Sequence, residues 1–241
     1  MSKIGWTISG AVALMLAAGP GASEPKAVLE LFTSQGCSSC PPADKLLSEY
    51  AERDDILALT FNVDYWDYLG WKDTLGSPEY SERQRSYAGA RGDGQVYTPQ
   101  IVVNGVDHVV GSNRRAVEAA IERDLALPVS IALEEKDDAV TVSVDYNGTK
   151  IDHAALWLAI FQDEVTVPIS RGENTGRTIT YSNVVKKLRP IAMWHGEEMV
   201  VDLPKSEMTK AKAKRCAVIM QTETASGQPG RIVGAAMMDL H

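Results

Sequence analysis

Two cysteines stand three residues apart in Cys37-Ser38-Ser39-Cys40. They follow the apolar run Ala27 to Phe32 and precede a helix-like segment that opens with Pro41-Pro42. Such a pair suits redox work, because one thiolate attacks a disulfide and the second resolves the mixed intermediate. Metal knuckles use the same spacing. A free cysteine has a pKa of about 8.5, and a helix N-terminus lowers it. Cys37, ahead of the helix, is therefore the expected attacker, and Cys40, one turn further in, the expected resolver. The amides of Ser39 and Cys40 are expected to point at the Cys37 sulfur. Pro41 and Pro42 have no amide hydrogen, so the donors stop there. Ser38 and Ser39 are candidate substrate contacts, and no Lys, Arg or His lies between the thiols to tune them.

The elements around the pair follow from periodicity and turn chemistry. Ala27 to Phe32 reads as a strand interrupted by Glu30. Ala43 to Arg53 carries Ala43, Leu46, Leu47, Tyr50 and Ala51 at helical spacing. Ile56 to Val63 reads as a second buried strand. A strand-helix-strand unit implies a parallel pair with a right-handed crossover. Asp64 to Gln95 is rich in aromatic residues and glycine, and Ser77-Pro78 starts a helix reaching about Ala90. Gln100 to Val103 and Val106 to Val110 form an expected hairpin around the Asn104-Gly105 turn. Ser112 or Asn113 caps a last helix, Arg114 to Leu125, which Pro128 closes.

That order, with the Cys-x-x-Cys pair after the first strand and Thr98-Pro99 before the hairpin, resembles the thioredoxin fold. The resemblance implies a cis-proline element at Thr98-Pro99 facing the thiols, with Pro99 shaping a substrate groove. It also implies a buried acid on the first strand, a role open to Glu30, which reads equally as an edge or solvent-facing residue. The strings from Glu30 through Cys37 and Cys40 to Asp44, and from Val63 to Trp71, are similar to a narrower family. It is the exported bacterial thioredoxin-like family classed as domain of unknown function 1223. The similarity continues through Arg171-Gly172-Glu173-Asn174 and brings no established substrate.

Near the pair, Tyr65, Trp66, Tyr68 and Trp71 either line a substrate groove or pack the fold, and Trp66 is carried as a candidate substrate contact with Thr98. Asp64 and Asp67 can bond loop amides.

Residues 1–23 read as an export signal: Lys3, an apolar stretch from Ile4 to Ala18, then small residues with Gly19, Pro20 and Gly21. No other run is apolar and long enough to cross a bilayer as a helix. The chain is expected to be periplasmic or secreted, with no stable membrane insertion after cleavage. A net charge of -8 disfavours nucleic acid and anionic membranes as nonspecific partners.

After Pro128 the pattern turns to strands: Val129 to Leu133, Val140 to Val144, Ala154 to Phe161, Thr178 to Leu188, Met199 to Leu203, Ala217 to Gln221 and Ile232 to Met238. This favours a β-sandwich. The expected architecture is a thioredoxin-like α/β domain at 24–127 and a mainly β, sandwich-like domain at 128–241. The polar loop Arg171 to Arg177 is either a solvated turn or a contact with the redox face. Asn147-Gly148-Thr149 matches a glycosylation sequon and reads as a hairpin turn. Cys216 reads as a buried strand thiol. His153 and His195 read as structural histidines.

The leading expectation is a thiol-disulfide oxidoreductase acting on a protein or small-molecule thiol or disulfide, with Cys37, Cys40 and Pro99 as its catalytic residues. No cofactor and no resident metal are expected. The alternatives are a copper(I)-handling protein, whose site a histidine or Cys216 would complete, and a non-enzymatic binding protein with a structural disulfide.

Overall fold

The computed structural model describes residues 22–124, 127–145, 151, 153–211 and 213–240. The expected export signal lies outside these residues except for Ala22 and Ser23. Leu125 and the segment Asn147-Gly148-Thr149 also lie outside them.

The chain runs β1 (Ala22–Ser23), β2 (Ala27–Thr33), α1 (Pro41–Ala51), β3 (Ile56–Asn62), α2 (Pro78–Arg91), β4 (Gln100–Val103) and β5 (Asp107–Val110). It continues through α3 (Arg114–Arg123), β6 (Ser130–Glu135), β7 (Ala139–Asp145), β8 (Ala154–Pro168) and β9 (Thr178–Trp194). It ends with β10 (Met199–Pro204), α4 (Lys205–Lys210), β11 (Arg215–Glu223) and β12 (Pro229–Asp239). The architecture is mixed α/β, dominated by a large sheet.

That sheet has nine strands in the order β1-β12-β11-β8-β9-β3-β2-β4-β5. β2 and β3 are parallel, and β4 lies antiparallel on the other side of β2. β9 joins β3 in parallel through Thr60 and Val184, so strands from both sides of residue 127 share one sheet. A second sheet, β10-β7-β6, has three strands.

β2 and β3 are buried along their whole length because both faces are covered. Leu29 and Leu31 meet Leu46, Leu47 and Tyr50 of α1 and Val117 and Ile121 of α3. Val28 and Phe32 turn the other way, onto Phe61, Tyr80 and Tyr87. Strands covered on both faces read as continuous apolar runs, which is how these appear in the sequence. At the far end of the sheet, Ile131, Leu133, Val142 and Val144 of the three-stranded sheet pack on Leu156, Leu158, Cys216 and Val218. Their period-two spacing puts one face of β6 and β7 into that core.

Several boundaries differ from expectation. α1 opens at Pro41, two residues before Ala43, because prolines are accepted where the first-turn amides have no helical partner. β5 begins at Asp107, since Asn104 (φ 47°) and Gly105 (φ 75°) form the turn and the Val106 amide closes it on the Val103 carbonyl at 3.1 Å. The largest difference is the β8–β9 hairpin. Its pairing extends past the expected ends, through Thr166–Thr180 and Val167–Ile179. Asp163 and Glu164 interrupt the apolar pattern past Phe161, and Lys186 sits at a register shift between Ile160 and Phe161. α4 had no counterpart in the expected elements.

Candidate functional site

β2 delivers the chain into the loop Ser34 to Cys40, and α1 carries it away. Cys37 and Cys40 form a disulfide with their Cα atoms 5.4 Å apart. Cys40 is fully buried, Cys37 is 4 % exposed, and Ser38 and Ser39 are exposed. The Cys40 amide donates to the Cys37 carbonyl at 3.3 Å, not to the Cys37 sulfur as expected. A turn closed from residue 40 onto residue 37 gives that amide a carbonyl acceptor. The polar side-chain neighbour of the Cys37 sulfur is the Ser39 hydroxyl, at 3.4 Å.

Partners far along the chain brace the loop. The Gln35 amide donates to Asp73 Oδ2 at 2.8 Å, and Gln35 Oε1 accepts from Trp71 Nε1 at 2.8 Å. Asn174 Nδ2 donates to the carbonyls of Gln35 and Cys37, both at 2.9 Å. Asn174 is fully buried and sits in the loop that joins β8 to β9. The polar loop Arg171 to Arg177 therefore contacts the cysteine loop. Gly36 allows Trp66 to approach: a Cβ at Gly36 would lie 3.0 Å from Trp66 Cβ. Trp66 Nε1 in turn donates to Thr98 Oγ1 at 2.7 Å. The Thr98-Pro99 peptide is cis and Pro99 is buried. Phe32 pairs with Gln100, so Pro99 lies at the end of the sheet where β2 enters the cysteine loop.

Asp44, one helical turn after Cys40, is 3 % exposed. Its Oδ1 accepts from Thr33 Oγ1 at 2.6 Å, while Oδ2 has no partner. Burial pushes its carboxyl up to about 8, against the Thr33 hydrogen bond and with help from nearby Asp73. The Tyr181 hydroxyl, also buried without a partner, feels both carboxyls. Asp44 was not a sequence candidate. The available signal was a carboxylate on the apolar stripe of α1, beside Ala43 and Leu47.

The family described as "Protein of unknown function (DUF1223)" matches residues 28–221. The chain belongs to this family. The DUF1223 chain is similar to Protein AGR_C_4864 from Agrobacterium tumefaciens, whose crystal structure superposes with a TM-score of 0.80 at 39 % identity. That match covers 90 % of this chain and 95 % of the other. HBP35 of Porphyromonas gingivalis shares the fold at a TM-score of 0.59 and 10 % identity, over 91 % of this chain and 76 % of that one. Among curated proteins, none matches.

The remaining candidates of the DUF1223 chain divide. Glu30 is buried, so it is neither an edge nor a solvent-facing residue. It points to the α2 side of the sheet, where Arg83 Nε and Nη2 donate to its two oxygens at 2.7 and 3.1 Å and the Tyr87 hydroxyl also bonds it. Strand alternation thus turns it away from α1 and the disulfide. A cavity of about 360 Å³ lies beside this pair, lined by Tyr80, Arg83, Trp157 and Leu188. Trp66 and Trp71 act as struts through their indole nitrogens, and Tyr68 is 77 % exposed. Asp67 accepts from the Asp73 amide at 2.9 Å, and Asp64 accepts from the Ser81 hydroxyl at 2.5 Å.

Cys216 is fully buried in β11 within the core between the two sheets, and burial pushes its thiol up to about 12. It is not beside the disulfide. His153 and His195 face each other across the ends of β8 and β9, with Nδ1 atoms 3.0 Å apart. Among the described residues, no group of three or more His, Cys, Asp or Glu side chains is arranged to hold a metal ion. No helix among them is long and apolar enough to cross a membrane.

Proposed function

We propose that this DUF1223 protein is an exported thiol-disulfide oxidoreductase whose redox centre is the Cys37–Cys40 pair. The observation that carries this reading is a cysteine pair oxidised at a helix start, in a loop gripped by three residues of two distant segments: Trp71 and Asp73 of one, Asn174 of the other. Such bracing holds the two sulfurs in register through oxidation and reduction. Residues 24–127 are read as a thioredoxin-like unit, supported by the β2-α1-β3 order and by Thr98-Pro99 at the cysteine end of β4. Residues 128–241 are read as the β-rich part that docks partners and supplies Asn174.

In the reaction, the Cys37 thiolate of the reduced pair attacks one sulfur of a substrate disulfide. The substrate S–S bond breaks, and its second sulfur leaves as a thiolate that takes a proton from water. The Cys40 thiolate then attacks Cys37, displacing the second substrate thiolate and forming the Cys37–Cys40 bond. The substrate gains two electrons and the pair loses two. The greater exposure of Cys37 supports its role as attacker.

The test is the reduction potential of the pair in glutathione buffers, with turnover on a disulfide substrate beside Cys37→Ser. A catalytic pair lies above about −300 mV, where structural disulfides typically end. A lower potential without turnover would leave a structural disulfide and sink this reading.

A further inference from the structure

A groove of about 520 Å³ lies between α1 and the start of β9, lined by Pro41, Asp44, Lys45, Ser48, Arg177 and Thr178, with Ile179 and Thr180 beyond. Both of its ends are tied through the chain or hydrogen bonds to the cysteine loop. Pro41 follows Cys40 directly, and the Arg177 amide donates at 3.1 Å to the carbonyl of Asn174, the residue that holds Cys37. Lys45 and Arg177 are exposed, and neither side chain has an ion pair or hydrogen bond among the described residues. Two exposed, unpaired cations thus line one groove on a chain whose net charge is -8. Unpaired like charges flanking a concave surface raise the local concentration of oppositely charged ligands.

The floor of the groove points the same way. Asp44 is 3 % exposed, lines the groove, and leaves Oδ2 without a partner. A carboxyl kept neutral by burial does not repel an anion bound above it. Thr178, on the wall, brings a hydroxyl-bearing side chain.

We propose that this groove is the substrate subsite of the redox centre and selects small thiols and disulfides that carry carboxylates. Lys45 and Arg177 pair with the carboxylate oxygens, and the neutral Asp44 beneath them adds no opposing charge. The inference rests on the oxidoreductase reading for its redox step, and the chemistry is the thiol-disulfide exchange written above with the substrate seated here.

The probes are oxidised glutathione, which is net negative, and cystamine, which is positive, each reacting with the reduced protein at low salt. The rate ratio of glutathione disulfide to cystamine is expected to fall about tenfold in Lys45→Gln/Arg177→Gln, and to fall in the wild type as salt is raised. Both side chains are exposed, so the double variant is expected to fold. Isothermal titration with S-methylglutathione, which cannot exchange, reads the groove without redox chemistry. Binding weakened about tenfold by the double variant supports the subsite. An unchanged rate ratio, or no binding of S-methylglutathione to the wild type, overturns it. Binding of S-methylglutathione with neither disulfide reduced would keep the subsite and remove the oxidoreductase reading.

Discussion

Asn174 Nδ2 lies 2.9 Å from the carbonyl oxygen of Cys37, across 137 residues of sequence. The same nitrogen reaches the Gln35 carbonyl, so one amide ties down two turns of the cysteine loop. A buried carbonyl that loses its donor costs about 1–3 kcal/mol. Asn174→Ala is therefore expected to lower the urea midpoint by an amount in that range. It should also speed reduction of the Cys37–Cys40 bond by dithiothreitol, because the loop that presents Cys37 is freed. Unchanged reduction kinetics in a folded variant would show that the grip is irrelevant to the pair.

Asp44 gives the fold a pH dependence of unusual sign. Its folded carboxyl is pushed up to about 8 from an ordinary 3.8, chiefly by burial. Between those values the folded chain holds a proton that the unfolded chain releases. Stability contributed here falls as pH rises through the window, at up to about 1.4 kcal/mol per pH unit. Asp44→Asn keeps an acceptor for Thr33 and carries no charge. Its urea midpoint is expected to exceed that of the wild type near pH 8 and to vary less between pH 5 and 8. A parallel pair of pH profiles would count against this assignment.

The Glu30–Arg83 pair is structural by its position on the α2 face. Arg83 is 9 % exposed and Glu30 not at all. Removing one partner of such a pair strands a buried charge and costs about 3–5 kcal/mol. Glu30→Ala is expected to lose stability on that scale in chemical denaturation. Glu30→Leu/Arg83→Met is expected to recover much of the loss. Disulfide reduction by dithiothreitol should be unaltered in the double variant, since the pair does not touch the cysteine loop. A changed reduction rate would place Glu30 in the redox machinery after all.

Cys216 differs from the cysteine pair in reactivity. Its thiol is fully buried and pushed up to about 12, so almost none is thiolate at pH 8. After mild reduction, iodoacetamide is expected to label Cys37 first and to leave Cys216 unmodified until urea unfolds the chain. Peptide mass mapping along the denaturation curve reads this directly.

The cysteine pair, β2, α1 and β3 are legible in the sequence because each announces itself locally, by a motif, a period or a run. The Ser77 cap is equally local, and its side chain accepts from the Glu79 amide at 3.2 Å as its position suggests. Asn174 is legible only as part of a polar loop, since nothing near it in sequence names Cys37 as its partner. Asp44 hides among apolar neighbours, where a single carboxylate reads as noise in the helical stripe. The long β8–β9 ladder is obscured because Gln162-Asp163-Glu164 past Phe161, and Arg189-Pro190 past Leu188, read locally as the ends of their strands. Glu30 stays open in the sequence because strand parity, not proximity in sequence, decides which face it shares.

The β8–β9 hairpin sets an order of events for the newborn chain. Cys37 and Cys40 emerge well before Asn174, so the thiols exist first without their clasp. Each thiol is free to meet any oxidant until the hairpin tip arrives. Only then can the Asn174 bonds to the Gln35 and Cys37 carbonyls form. The late tip thus acts as a seal of completion, which marks a chain whose second half has already reached its place.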